Sequence, residues 1–114
     1  MELRLKDGVT IVARSADGLD ITARLRGACL RIARDALAQG IRGAVMKSRS
    51  PSCAAGGAPL FPEQGGSPRP DGVGLLVQVL REKAPDLPVI DEAAFEDDGG
   101  RAAFFRALGV TCAP

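Results

Sequence analysis

The sequence predicts an α/β fold, a parallel sheet with helices packed on it, on two observations. Short apolar runs alternate along the chain with stretches whose apolar residues recur at helical spacing. The one segment that breaks this rhythm, rich in Pro, Gly and Ser, begins where an apolar run ends, and ligands gather at such strand ends in parallel sheets.

Leu3, Leu5, Val9, Ile11 and Val12 flank Asp7-Gly8, a dipeptide that favours a tight hairpin. Residues Glu2 to Lys6 and Val9 to Arg14 are therefore read as a two-stranded ribbon, followed by a turn at Ser15 to Gly18. A helix comes next, with Asp20 or Thr22 as its cap and Leu25, Ala28, Cys29, Ile32, Ala33, Ala36 and Leu37 on one stripe. Gly40 stops it. Cys29 lies within the apolar stripe and reads as a small core residue. Ile41 to Met46 is read as a buried strand. Residues 48 to 72 carry five of the eight prolines and the pairs Gly56-Gly57 and Gly65-Gly66, and read as a long loop without regular structure. Asp71 is expected to cap a second helix through Val73, Leu76, Val77 and Leu80, ending before Pro85. Leu87 to Ile90 gives a further strand, and Arg101 to Leu108 a closing helix with Phe104 and Phe105 in its core face.

Composition narrows the function. The 114 residues make one small domain, with a core built on Leu, Ile, Val and Ala, since there are four Phe and no Trp or Tyr. Fifteen basic and fourteen acidic side chains leave a net charge of +1, which with so few aromatics argues against nucleic acid as a partner. No apolar run is long enough to span a bilayer and the opening residues have no signal-peptide pattern, so no membrane role is expected and the chain reads as cytoplasmic. Cys29, Cys53 and Cys112 form no CxxC and no even framework. With no histidine in the chain, Ser-His-Asp and Cys-His catalysis are excluded, as is any His-containing metal site supplied by this chain alone.

The chemistry-bearing segment is Lys47-Ser48-Arg49-Ser50-Pro51-Ser52-Cys53. Two hydroxyls and a thiol fall within four residues, Pro51 fixes one backbone angle, and Ala54 to Gly57 let the main chain approach a ligand. Lys47 and Arg49 add positive charge, the environment in which thiolates form, and a thiolate is both nucleophile and soft metal ligand. On local pattern alone, a rigid surface turn with an incidental cysteine explains these residues equally well. Use of Cys53 alone as a nucleophile is the weakest reading, because phosphatase-type loops need an Arg where Pro59 stands. Asp91 and Glu92 read as a solvated or capping pair before an acid/base pair. Glu96-Asp97-Asp98 reads as a loop, lacking the spacing of calcium sites.

The seven-residue segment closely resembles the signature loop of the bacterial thiouracil desulfidase family, long catalogued as a domain of unknown function. The resemblance extends over residues 9–92, about three quarters of the chain. Upstream it includes Val9 to Arg14, Asp17-Gly18, Asp20-Ile21-Thr22 and Gly27-Ala28. Downstream it includes Asp71-Gly72-Val73 and Val89-Ile90-Asp91-Glu92. The resemblance implies a Rossmann-like parallel sheet with flanking helices. It also implies a 4Fe–4S cluster held by three cysteines, whose open iron takes sulfur from a thiolated nucleobase such as 2-thiouracil. Cys53 occupies the place of the third cluster cysteine. Ser50 and Ser52 match positions near the cluster, where a hydroxyl relays a proton or holds the base. Lys47, Ser48 and Arg49 match positions expected to contact the substrate.

The sequence also departs from the family. Its other two cluster cysteines, in an "S-A-C-L" and a "C-P-E" strand end, have no counterpart here, so one of three ligands is present. The Gly after the loop cysteine is Ala54, and a "Y-D-G-x-F" segment is replaced by Pro59 to Pro70. Residues 1–114 are thus expected to form a single partial domain, truncated at the N-terminus relative to the family, with 93–114 as a C-terminal extension carrying a short helix. An exposed sheet edge then invites a homodimer or a partner carrying the N-terminal half. The alternative is a non-catalytic binding module that keeps the fold and holds no cluster.

Overall fold

The structure, a computed structural model, describes residues 1–109. It places β1 at Glu2–Lys6, β2 at Val9–Ala13, α1 at Thr22–Ala38, β3 at Ala44–Met46, β4 at Ala58–Phe61, β5 at Arg69–Gly72, α2 at Leu75–Lys83, β6 at Val89–Asp91, α3 at Glu92–Glu96 and α4 at Asp98–Ala107. The α/β class holds, with flanking helices and parallel pairing in both of its sheets: β1 with β4, and β3 with β6.

The ribbon forms where the sequence places it. Asp7 and Gly8 both take positive φ, 52° and 78°, the mirror-image turn whose twist matches the flanking strands. Leu3 pairs with Val12 across the ribbon, and both are buried. On its other side Leu3 lies opposite Leu60 of β4, which runs parallel to β1. Helix α1 begins after Asp20, whose carboxylate accepts from the Thr22 N–H at 2.9 Å and from its hydroxyl at 2.6 Å. The Thr22 hydroxyl in turn accepts from the Val12 N–H, tying the helix start to the sheet. Gly40, at φ 81°, ends α1 as expected.

Three expectations need correction. Residues 48–72 are not wholly irregular, since they hold β4 and β5, giving the sheet order β2-β1-β4-β5. Asp71 lies in β5 and caps nothing; Gly74 is the N-cap of α2. The Ile41 to Met46 strand is trimmed to Ala44–Met46, and it is not buried: Val45 is 46% exposed at a sheet of only two strands.

The core lies between the four-stranded sheet and the pair α1 and α2. Leu3, Val12, Ala58 and Leu60 meet Cys29 and Ala33 of α1 and Leu75, Val79 and Leu80 of α2. Ala54, from the Ser/Pro/Cys loop, is part of the same cluster. The loop is thus anchored in the core through the residue next to Cys53. Arg26 and Glu82 join the two helices outside it, with a contact of 2.6 Å.

The C-terminal helices pack around Phe95, Phe104 and Phe105, whose rings lie 5.8 to 6.3 Å apart. Gly43 admits them, because a Cβ there would lie 2.6 Å from Leu108 and 3.0 Å from Phe104. Asp97 caps α4 by accepting from the Gly100 N–H at 2.8 Å. Asp97→Ala is expected to cost about 1 kcal/mol, read as a lowered urea midpoint. Among the described residues, no helix is long and apolar enough to cross a membrane.

Candidate functional site

The Ser/Pro/Cys loop leaves the C-terminal end of β3, the position expected for a ligand site in a parallel sheet. It is a compact turn built around Ser50. The Ser50 hydroxyl accepts from the N–H groups of Ser52 at 3.3 Å and Cys53 at 3.2 Å, and the Ser50 carbonyl accepts from Ala54 N–H at 3.0 Å. Ser50 Oγ then lies 3.1 Å from Ser52 Oγ, which lies 3.4 Å from Cys53 Sγ. Hydroxyl, hydroxyl and thiol thus form one chain of half-buried groups along which a proton can pass to or from sulfur.

Helix α2 holds this turn from below. Its first N–H groups, which have no partner inside the helix, donate to the loop: Gly74 to Ala54 at 2.8 Å, Leu75 to Pro51 at 3.1 Å and Leu76 to Ser52 at 2.7 Å. Gly74 makes the approach feasible, since a Cβ there would lie 2.4 Å from Cys53 N. Arg81, one turn from the end of α2, donates to the Ala55 carbonyl at 3.2 Å.

The other end of the loop is held by Glu92. Its carboxylate accepts from the Ser48 N–H at 2.5 Å and from the Ser48 hydroxyl at 2.8 Å. Those two hydrogen bonds, the backbone one foremost, hold the Glu92 carboxyl below the usual glutamate range, with Lys47 adding to the effect and desolvation opposing it. The meeting follows from topology. β3 and β6 pair in parallel with Met46 opposite Asp91, so the residues leaving both strands emerge side by side. The sequence marks Glu92 as a solvated or capping residue at a strand end and gives no sign of its bond to Ser48, which lies 44 positions away. Asp91 is not its chemical partner, for it caps α3 through Ala94 N–H at 2.9 Å.

The residues singled out from the sequence separate into two groups. Ser50, Ser52 and Cys53 come together in the turn, while Ser48 stands at the loop's other end on Glu92. Lys47 and Arg49 are exposed and enter no ion pair among the described residues. Arg49 adopts φ 63°, the left-handed region that an arginine seldom enters.

Cys29 is 2% exposed in the core, and burial foremost pushes its thiol up, with the nearby Cys53 adding and Arg26 opposing. It remains a core thiol. Cys29 and Cys53 are both free. Cys112 lies outside the described residues. Among the described residues there is no group of three or more Cys, Asp or Glu able to hold a metal ion.

A family model described as 2-thiouracil desulfurase matches residues 1–92, from the first strand to Glu92. No curated protein and no solved structure matches the chain.

Proposed function

The chain belongs to the 2-thiouracil desulfurase family, and from that premise we propose that it serves the removal of sulfur from a thiolated nucleobase such as 2-thiouracil. The reading rests on one observation above the others: the Ser50–Ser52–Cys53 chain of hydroxyls and thiol, held rigid at a strand end by α2 and Glu92. The described residues do not by themselves fit a 4Fe–4S cluster, because Cys29 is sealed in the core and no three-ligand group exists among them. In this reading Cys53 is one thiolate ligand of such a cluster. The remaining ligands come from a second copy, from a partner, or from an N-terminal segment carrying the rest of the family's ligand set. Ser50 and Ser52 hold or move a proton beside the sulfur, and Lys47, Ser48 and Arg49 face the base.

The lack of a three-ligand group among the described residues favours a second reading, a binding module that keeps the family fold without a cluster. Iron separates the two. The chain and its Cys53→Ser variant are reconstituted anaerobically with iron and sulfide, and bound iron and visible absorbance are measured. Near-stoichiometric iron lost in Cys53→Ser is the expected result for the iron–sulfur reading, followed by desulfidation of 2-thiouracil. Equal, negligible iron in both proteins would mean that these residues alone are not the enzyme, and that a cluster, if one forms, needs ligands supplied from outside them.

A further inference from the structure

A cleft of about 260 Å³ opens beside the loop, lined by Arg49, Gly57, Pro59, Pro68, Arg69 and Pro70. Both ends of the loop reach it, since Arg49 precedes Cys53 by four residues and Gly57 follows it by four. The far wall is β5. Its pairing with β4 runs Ala58 to Gly72 and Leu60 to Arg69, so β5 carries one extra residue in a bulge that includes Pro70. A bulge bends a strand and re-aims its side chains, and proline, having no N–H to give a ladder, is at home in one.

The lining has two chemical parts. Three proline rings supply flat, apolar CH faces. Two guanidiniums supply planar, permanently charged donors that suit anionic or polarised edges and stack on flat rings. Neither is firmly engaged. Arg49 enters no ion pair among the described residues, and Arg69 meets only Asp71, at 3.5 Å with both side chains more than half exposed. Among the described residues, no carboxylate lines the cleft. Its volume falls below the range of about 300–1,000 Å³ typical of drug-sized pockets, which suits a single ring better than a nucleotide.

We propose that this cleft is the subsite that receives the ring: a flat heterocycle with an anionic or strongly polarised sulfur or oxygen edge. The prolines bracket its faces and Arg49 and Arg69 engage its edge. Arg49, whose backbone takes the strained left-handed conformation, lines the cleft from the same loop that carries Cys53. Pro59, Pro68, Arg69 and Pro70 all fall in the Pro59 to Pro70 stretch, so one segment supplies the far wall. The assignment rests on the thiolated-nucleobase reading above.

The test is an amide NMR titration of the full, iron-free, isotope-labelled chain with 2-thiouracil, and separately with inorganic sulfate. Saturable shifts centred on Gly57 and Arg69 are expected with 2-thiouracil. Arg49→Met and Arg69→Met should each weaken its Kd about 10-fold, the loss expected of a charge-assisted contact. Arg24→Met, a matched charge loss on α1, should leave Kd unchanged. Shifts centred elsewhere, no shifts, or an unchanged Kd in both arginine variants would overturn the proposal. Sulfate reproducing the same shifts at the same Kd would also overturn it, reducing the cleft to a plain anion site. Iron plays no part in this measurement, so its failure and the failure of the cluster reading are separately visible.

Discussion

Gly74→Ala is expected to destabilise the fold by about 3 kcal/mol and to loosen the turn that carries Cys53, the upper end of what overpacking a tight site costs. Backbone conformation is not the reason. Gly74 sits at φ −61° and ψ 149°, which any residue adopts. The reason is contact: an added Cβ would lie 2.4 Å from Cys53 N, 2.5 Å from Ala54 N and 2.6 Å from the Ser52 carbonyl carbon. All three are backbone atoms, so no side-chain rotation relieves the clash. Nor can the loop drift away, because Gly74, Leu75 and Leu76 are hydrogen-bonded to it and Ala54 is sealed in the core. Urea unfolding checks this, with Gly56→Ala as the comparison. Gly56 has open space around it and an ordinary φ, so that variant should stay within about 0.5 kcal/mol of wild type. Equal midpoints for wild type and Gly74→Ala would mean that the close docking of loop on helix does not exist.

The same docking explains what the sequence could and could not disclose. The ribbon and α1 were legible because their signals are local: Asp7-Gly8 dictates the turn, and the apolar stripe places Leu25, Cys29 and Ala33 toward the core, although Ile32 on the same expected stripe is 53% exposed. The position of the Ser/Pro/Cys loop was legible from the strand before it. Strands β4 and β5 were not, because Ala58–Phe61 contains Pro59, and Arg69–Gly72 contains Pro70 and Gly72. By propensity these are turn residues. They are extended because β1 offers β4 a parallel edge and β4 offers β5 an antiparallel one, a choice made by tertiary pairing. Asp71 misled for the same reason. The N–H groups at the start of α2 are satisfied by loop carbonyls about 20 positions upstream, so no side-chain cap is needed. Glu92 was legible as a strand-end carboxylate, but its hold on the loop was not legible until the parallel register of β3 and β6 was known.

That register sets the second large effect. Glu92→Ala removes both acceptors of Ser48 at once and leaves its half-buried N–H without a protein partner, so it should destabilise more than Ser48→Ala, which loses one hydrogen bond worth about 1 kcal/mol. The pH dependence has a definite sign. The folded Glu92 carboxyl is held below the ordinary value of 4.5, chiefly by the Ser48 N–H and then by its hydroxyl. An acid depressed in the folded state binds fewer protons there than when unfolded. Its stabilisation is therefore complete above pH 4.5 and is lost as pH falls through the lower folded value. Asp17, Asp20 and Glu82 are depressed as well, by Arg14, Thr22 and Arg26 respectively, so wild type loses stability in acid for several reasons. The difference between wild type and Glu92→Gln isolates the one of interest, since those other groups are common to both. That difference should be largest near neutral pH and shrink as the solution is acidified below 4.5, with urea midpoints at each pH as the readout. A difference independent of pH would mean the ionised carboxylate is not what holds Ser48. Where it does shrink, the Ser48→Ala, Glu92→Ala double-mutant cycle should show coupling between the two sites. The turn bearing Arg49, Ser50 and Cys53 is then fixed from both sides: by α2 at its far end, and at its near end by a single carboxylate that acid can switch off.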